Sequence, residues 1–102
     1  MNTPEFEAIV NARIKKCKET LIVKAAEYAK GDRLHNFQRA AAMLNCTPER
    51  ALFGFLAKHL VSIIDIVDGI EKGQFPAEAR WDEKVGDAIN YLLLLDAVVK
   101  RK

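Results

Sequence analysis

The chain lacks any uninterrupted apolar run near the roughly 18 residues that a membrane-spanning helix needs. It also lacks an apolar stretch behind its first residues, where Glu5 and Glu7 already stand. Neither a membrane span nor a signal peptide is expected. Cysteine is scarce: Cys17 and Cys46 are the only two, with no CxxC, and neither stands at metal-ligand spacing from His35 or His59. That argues against a disulfide scaffold and a zinc finger, and points to a reducing cytoplasm in which both act as small apolar side chains. A dominant charge is missing too. The 16 basic and 14 acidic residues leave a net charge of +2 and are interspersed. The dense basic runs, Arg13–Lys18 and Lys100-Arg101-Lys102, read as a solvated helix face and a cation-complemented helix end. Nucleic acid is therefore not the expected partner. Strand-type alternation, internal repeats and low-complexity segments are absent as well.

What is present is helical periodicity in a chain of one-domain length, 1–102. Thr3-Pro4-Glu5 reads as a start, with Thr3 as N-cap, Pro4 in the first position and an acid in the first turn. Phe6, Ile9, Val10, Ile14, Cys17, Leu21, Ala25 and Tyr28 then mark one apolar face to about Ala29, and Gly31 is the expected stop. A short helix is predicted over Leu34 to Leu44, with Phe37, Ala40, Ala41 and Leu44 as its buried side and Asn45 as its left-handed end. Thr47-Pro48-Glu49 repeats the start signal, and the third helix runs to about Lys72, before Gly73. Pro76 opens a short turn to Arg80, and Asp82 is the expected N-cap of a last helix ending near Val99. Gly54 and Gly86 fall inside helices, where they are expected to permit close packing.

The third and fourth helices are apolar on most sides, which usually marks a central helix. Two central helices cannot both be wrapped by the two that remain. The expectation is a compact all-α four-helix bundle, three long helices plus one short, completed by homo-oligomerisation as a homodimer or homotetramer through helices three and four.

Polar lines interrupt this apolar surface. Lys58, Ser62 and Asp65 stand at i, i+4 and i+7 on helix three; Glu83, Asp87 and Asn90 repeat those offsets on helix four, and His59 and Asp68 flank the first line. Facing antiparallel helices could close a polar cleft this way, as bundles do for ligands and metals. Asp65, Glu83 and Asp87 are the candidate Mg²⁺ ligands, oxygen donors suited to a hard cation shared with a phosphate. Lys58 is the candidate phosphate contact. The alternative is that both lines are solvent faces, or that Lys58 pairs with Asp87 or Glu83 in a structural salt bridge. A second cluster runs from Glu27-Tyr28 through Asp32-Arg33-Leu34-His35-Asn36-Phe37. His35 and Asn36 there read either as ligand groups or as helix-start hydrogen-bonding groups. Tyr28, Phe37 and Trp81 are candidates to stack a base, and core packing is the alternative.

Glu27-Tyr28, His35-Asn36-Phe37, Lys58-His59 and the run Glu83-Lys84-Val85-Gly86-Asp87-Ala88-Ile89-Asn90-Tyr91-Leu92 resemble a family of small phage and prophage proteins akin to nucleotide-modification-associated proteins. The last run is also similar to the acidic motif of MazG-like all-α nucleotide pyrophosphohydrolases. That resemblance implies a nucleoside triphosphate substrate, Mg²⁺ on helical carboxylates, a dimer or tetramer, and a host cytoplasm if the gene is phage-borne. It makes Asp87 and Glu83 the catalytic pair. Lys58, His35, Asn36, Asn90 and Glu27 become substrate contacts. The chain departs from the pattern at Lys84, where a glutamate would stand, and in lacking paired glutamates on helix three. Two other functions stay open: sequestration of a nucleotide or signalling molecule without turnover, and a protein-interaction module whose function is assembly.

Overall fold

The computed structural model describes residues 1–24 and 34–101, and every element among them is helical. In chain order these are α1 (Thr3–Lys18) with a π-helical continuation (Glu19–Lys24), α2 (His35–Leu44), α3 (Pro48–Glu71) and α4 (Glu78–Lys100). The expected all-α class, with three long helices and a short second one, is what the described residues form. No helix among them is long and apolar enough to cross a membrane. The chain divides into two compact units, Met1–Arg33 and Leu34–Lys102.

In the first unit the cap is Asn2, not Thr3. The Asn2 Oδ1 accepts from the Glu5 amide at 2.9 Å, and the Asn2 amide donates to Glu5 Oε2 at 3.3 Å. This capping box satisfies two otherwise orphaned donors. A cap at Thr3 would put Phe6 at the third helical position, where no side-chain oxygen could reach back. Lys15, Lys16 and Lys18 complement the negative helix end. Of the expected apolar face, Cys17 is buried and Val10 and Leu21 are half-buried, but Phe6, Ile9 and Ile14 are exposed. Ala25, Tyr28 and the Gly31 stop lie outside the described residues.

The second unit is a three-helix assembly whose ends were largely legible. The Asn45 backbone is left-handed at φ 53°. The Cys46 amide reaches the Ala41 carbonyl at 3.0 Å, so α2 closes as a Schellman turn. Thr47 caps α3, accepting from the Arg50 amide at 3.2 Å. At its far end Gly73 takes φ 80°, with Gln74 donating to Gly69 at 2.8 Å and Gly73 to Ile70 at 2.9 Å, a second Schellman turn. Two expectations fail here. Leu44 is 62% exposed, because the turn at Asn45 carries the chain off before that side chain meets a neighbour. Asp82 is not a cap: α4 starts four residues earlier, behind an extended Ala77, with Glu78 in its first turn. Nothing between Glu78 and Asp82 breaks a helix, so the short turn expected after Pro76 is simply the first turn of α4.

Packing follows from spacing. On α3, Leu52, Leu56 and Ile66 are buried, and His59, Ile63 and Ile70 share their 3-4 line half-buried. On α4, Trp81, Val85, Ala88, Tyr91, Leu95 and Val98 form the matching buried or half-buried line. His59 meets Asp87 and Phe55 meets Tyr91, so residue numbers rise on one helix as they fall on the other: the pair is antiparallel. α2 lies on one side of this pair, its Phe37 touching both Phe55 and Tyr91.

The expected packing role of Gly54 is also overturned. A Cβ built there meets nothing within 4 Å. Gly54→Ala should therefore raise stability by about 0.5–1 kcal/mol, the helix-propensity difference. Gly73→Ala should lower it by about 1–2 kcal/mol, since φ is positive there. Urea melts at one fixed protein concentration check both signs.

Candidate functional site

The antiparallel register decides which candidate residues share a level. With His59 opposite Asp87, Lys58 stands within about one residue's rise of Asp87, and Ser62 lies near the level of Glu83–Lys84. The offsets noticed on the two helices thus fall on the same side of the α3–α4 pair, the side on which Phe37 of α2 packs. Asp65 lies six residues beyond His59, roughly 9 Å along the axis from the level of Asp87 and roughly 3 Å from that of Glu83, and is exposed. Among the described residues no three His, Cys, Asp or Glu side chains come together as a metal-holding group. Glu83 and Asp87 stand one turn apart on α4.

The centre of the corner is aromatic. Ring centroids of Phe37, Phe55 and Tyr91 lie 6.3–6.4 Å apart in tilted and edge-on pairs, within the favoured range. His59 stacks on Tyr91 at 4.9 Å with 26° between planes. Its Nδ1 is 3.8 Å from Asp87 Oδ2, an electrostatic contact too long for a direct hydrogen bond. The two side chains are 23% and 38% exposed, so the pair is held by stacking on one side yet open on the other. Phe55 and His59 are one turn apart on α3, and Asp87 and Tyr91 one turn apart on α4. That pair of i,i+4 spacings was the sequence signal for this arrangement, and sequence reasoning missed it. It treated His59 as a flank and left Phe55 out.

The remaining candidates divide. Lys58 is exposed and forms no ion pair among the described residues, so the expected structural bridge to Asp87 is replaced by His59. The Ser62 hydroxyl donates back to the Lys58 carbonyl at 3.2 Å and is occupied within its own helix. Asn90 is half-buried, with its Oδ1 shielded from solvent and without a hydrogen-bond partner among the described residues. An orphaned buried acceptor is costly, on the order of 1–3 kcal/mol. His35 and Asn36 are exposed in the first turn of α2; Leu34 is the N-cap there and makes no side-chain cap, so the expected capping role falls away. Glu27, Tyr28, Asp32 and Arg33 lie outside the described residues. Trp81 is half-buried and has no ring contact among the described residues. A separate open cleft of about 240 Å³ lies where α3 begins and α4 ends, lined by Thr47, Glu49, Arg50, Phe53 and Leu95, and none of the sequence-predicted site residues lines it.

No family model, curated protein or solved structure matches the chain. The likeness to nucleotide-processing proteins therefore rests on the residues quoted above.

The corner's geometry makes a stability prediction. Tyr91→Leu removes the His59 stack and two ring-edge contacts while keeping most of the apolar volume, and should cost about 1–3 kcal/mol. Lys58→Ala, at an exposed site without a partner among the described residues, should stay within about 0.5 kcal/mol. Equal losses in denaturant melts of the two variants would contradict this assignment of structural and non-structural roles.

Proposed function

We propose that the chain binds a nucleotide or a closely related phosphorylated ligand at the corner of α2, α3 and α4. The observation that carries the reading is the company Asn90 keeps. A shielded side-chain oxygen without a partner among the described residues sits one residue from Tyr91 and three from Asp87, and the Lys58 ammonium, in no ion pair among those residues, stands level with Asp87. Lys58 supplies a point charge for a phosphate. The Asn90 amide supplies hydrogen bonds to a base or sugar. His59, held by Tyr91 and Asp87, offers a positioned imidazole between them. His35 and Asn36, in the first turn of α2, are further contacts in this reading, as the likeness to nucleotide-modification-associated proteins implies.

Turnover is the second reading, and Glu83 and Asp87 favour it. Two carboxylates one turn apart, with a triphosphate as the remaining oxygen source, fit the usual way Mg²⁺ is held. The ion would neutralise charge on the phosphates of a MazG-like pyrophosphohydrolase substrate. Lys58 would hold the ligand's phosphate end, and Asp87 would be fixed by His59 on its other side. Asp65, on the facing helix near the level of Glu83, is the third oxygen donor in this reading.

Thermal melting against nucleoside triphosphates and cyclic nucleotides, with and without Mg²⁺, tests both. A ligand at one hundred times its Kd adds about 2.7 kcal/mol, several degrees for a domain of this size. The shift should be lost in Lys58→Ala and Asn90→Ala, while their melting without ligand changes little for lysine. Mg²⁺-dependent release of pyrophosphate, abolished in a folded Asp87→Ala variant, would establish turnover; a shift without release would establish binding alone. If no nucleotide moves the melting temperature of the wild-type chain, the ligand reading is wrong.

A further inference from the structure

The side of α3 away from this corner carries a second pattern. Arg50, Phe53, Ala57, Leu60, Ile64, Val67 and Glu71 follow one another at 3-4-3-4-3-4 spacing, a narrow line over 22 residues, or roughly 32 Å of helix. Its large apolar members are exposed: Phe53 48%, Leu60 40%, Ile64 57% and Val67 41%. The line stands about 110° around the helix from Leu52, Leu56 and Ile66, which pack toward α4. In an antiparallel pair, positions one residue past the packed line fall on the same side of both helices. The exposed Leu92 and Val99 of α4, each one past the packed Tyr91 and Val98, therefore extend the same face. One side of the α3–α4 pair is covered by α2; the other carries the α3 seam, flanked on α4 by Leu92, Val99 and the exposed Asp96–Lys100 ion pair.

We infer that this seam pairs with the same seam of a second copy, the two α3 helices running antiparallel about a two-fold axis near Leu60. The charges at its ends select both occupant and direction. Arg50 stands at the N-terminal end and Glu71 at the C-terminal end, both exposed and neither in an ion pair among the described residues. Antiparallel pairing sets Arg50 against the partner's Glu71 at both ends, Phe53 near the partner's Val67, and Ala57 near the partner's Ile64. Parallel pairing would set arginine on arginine and glutamate on glutamate, which is repulsive. A surface complementary to itself under a two-fold rotation is what an isologous dimer requires. The pairing places α3 and α4 of each copy around one shared core, a four-helix arrangement that neither copy completes alone. This inference does not rest on the ligand reading, since none of the ligand-site candidates belongs to the seam.

Sedimentation equilibrium of the full chain over a concentration series tests it. The wild type should run as a dimer of about 23 kDa, twice the 11.5 kDa chain. Leu60→Glu, a change at an exposed position, should give a monomer with its helical circular dichroism retained. Arg50→Glu alone and Glu71→Arg alone should each weaken the dimer by about tenfold in Kd, and the double exchange should restore it. A wild-type monomer at all concentrations would overturn the proposal, as it would if α1 of the same chain or another protein were the occupant. A dimer that survives Leu60→Glu would place the interface elsewhere. Single exchanges that weaken the dimer without rescue by the double exchange would overturn the antiparallel register.

Discussion

The antiparallel register of α3 against α4 is the constraint on which the rest of the second unit depends. It is set at one end by the Schellman turn at Gly73 and the extended Pro76-Ala77 entry into α4, which leave the chain only a short reversal. It is set along the length by two 3-4 lines of apolar side chains. A slip of one residue would rotate every contact by about 100°, exposing Leu52 and Leu56 and driving polar neighbours inward. That is why His59 meets Asp87 and Phe55 meets Tyr91 together: both pairs express a single register.

Once the register is fixed, the pair has two sides of opposite chemistry. The side under α2 combines three aromatic rings with an imidazole, a carboxylate, an amide and an ammonium at nearly one level. The other side presents Phe53, Leu60, Ile64 and Val67 along one line of α3. A monomer gains nothing by holding so long an apolar stripe in water, because each of these half-exposed side chains forgoes on the order of 1 kcal/mol of burial. Its regular spacing argues further that it was shaped for another helix, since an aperiodic patch would serve a loop or a small ligand equally well.

How much of this was legible follows from the kind of signal involved. Local backbone chemistry was readable: Asn45 and Gly73 stop helices because their left-handed backbones satisfy the last carbonyls, and Thr47-Pro48 starts one because the threonine oxygen replaces a missing acceptor. Where two local signals competed, the reading went astray. Asn2 and Thr3 are both good caps, and the distant Glu5 decided between them. Asp82 looked like a cap but sits in a stretch of helix formers that gives it no reason to be one. Polar offsets on α3 and α4 were visible, but their vertical alignment was not. The register sets Asp87 opposite His59 and Asp65 nearer the level of Glu83 than that of Asp87, which no count along either helix alone could give. Gly54 was assigned a packing role because helix-interior glycine often has one, and no neighbour approaches it.

The half-open state of the corner bears on what it can do. His59 and Asp87 are shielded enough to be held in place by Tyr91 but wet enough that neither carries the full desolvation cost of a buried ion pair. Their mutual attraction in that state is modest, because water beside them keeps the effective dielectric high. A ligand seated over Lys58 and Asp87 would exclude that water, and every charge contact at the corner would strengthen together. The Asn90 oxygen, already shielded and already without a partner, would gain a donor at no further desolvation cost. In the binding reading, an occupant that brings both hydrogen-bond donors and negative charge would draw on groups whose solvation was already surrendered in folding.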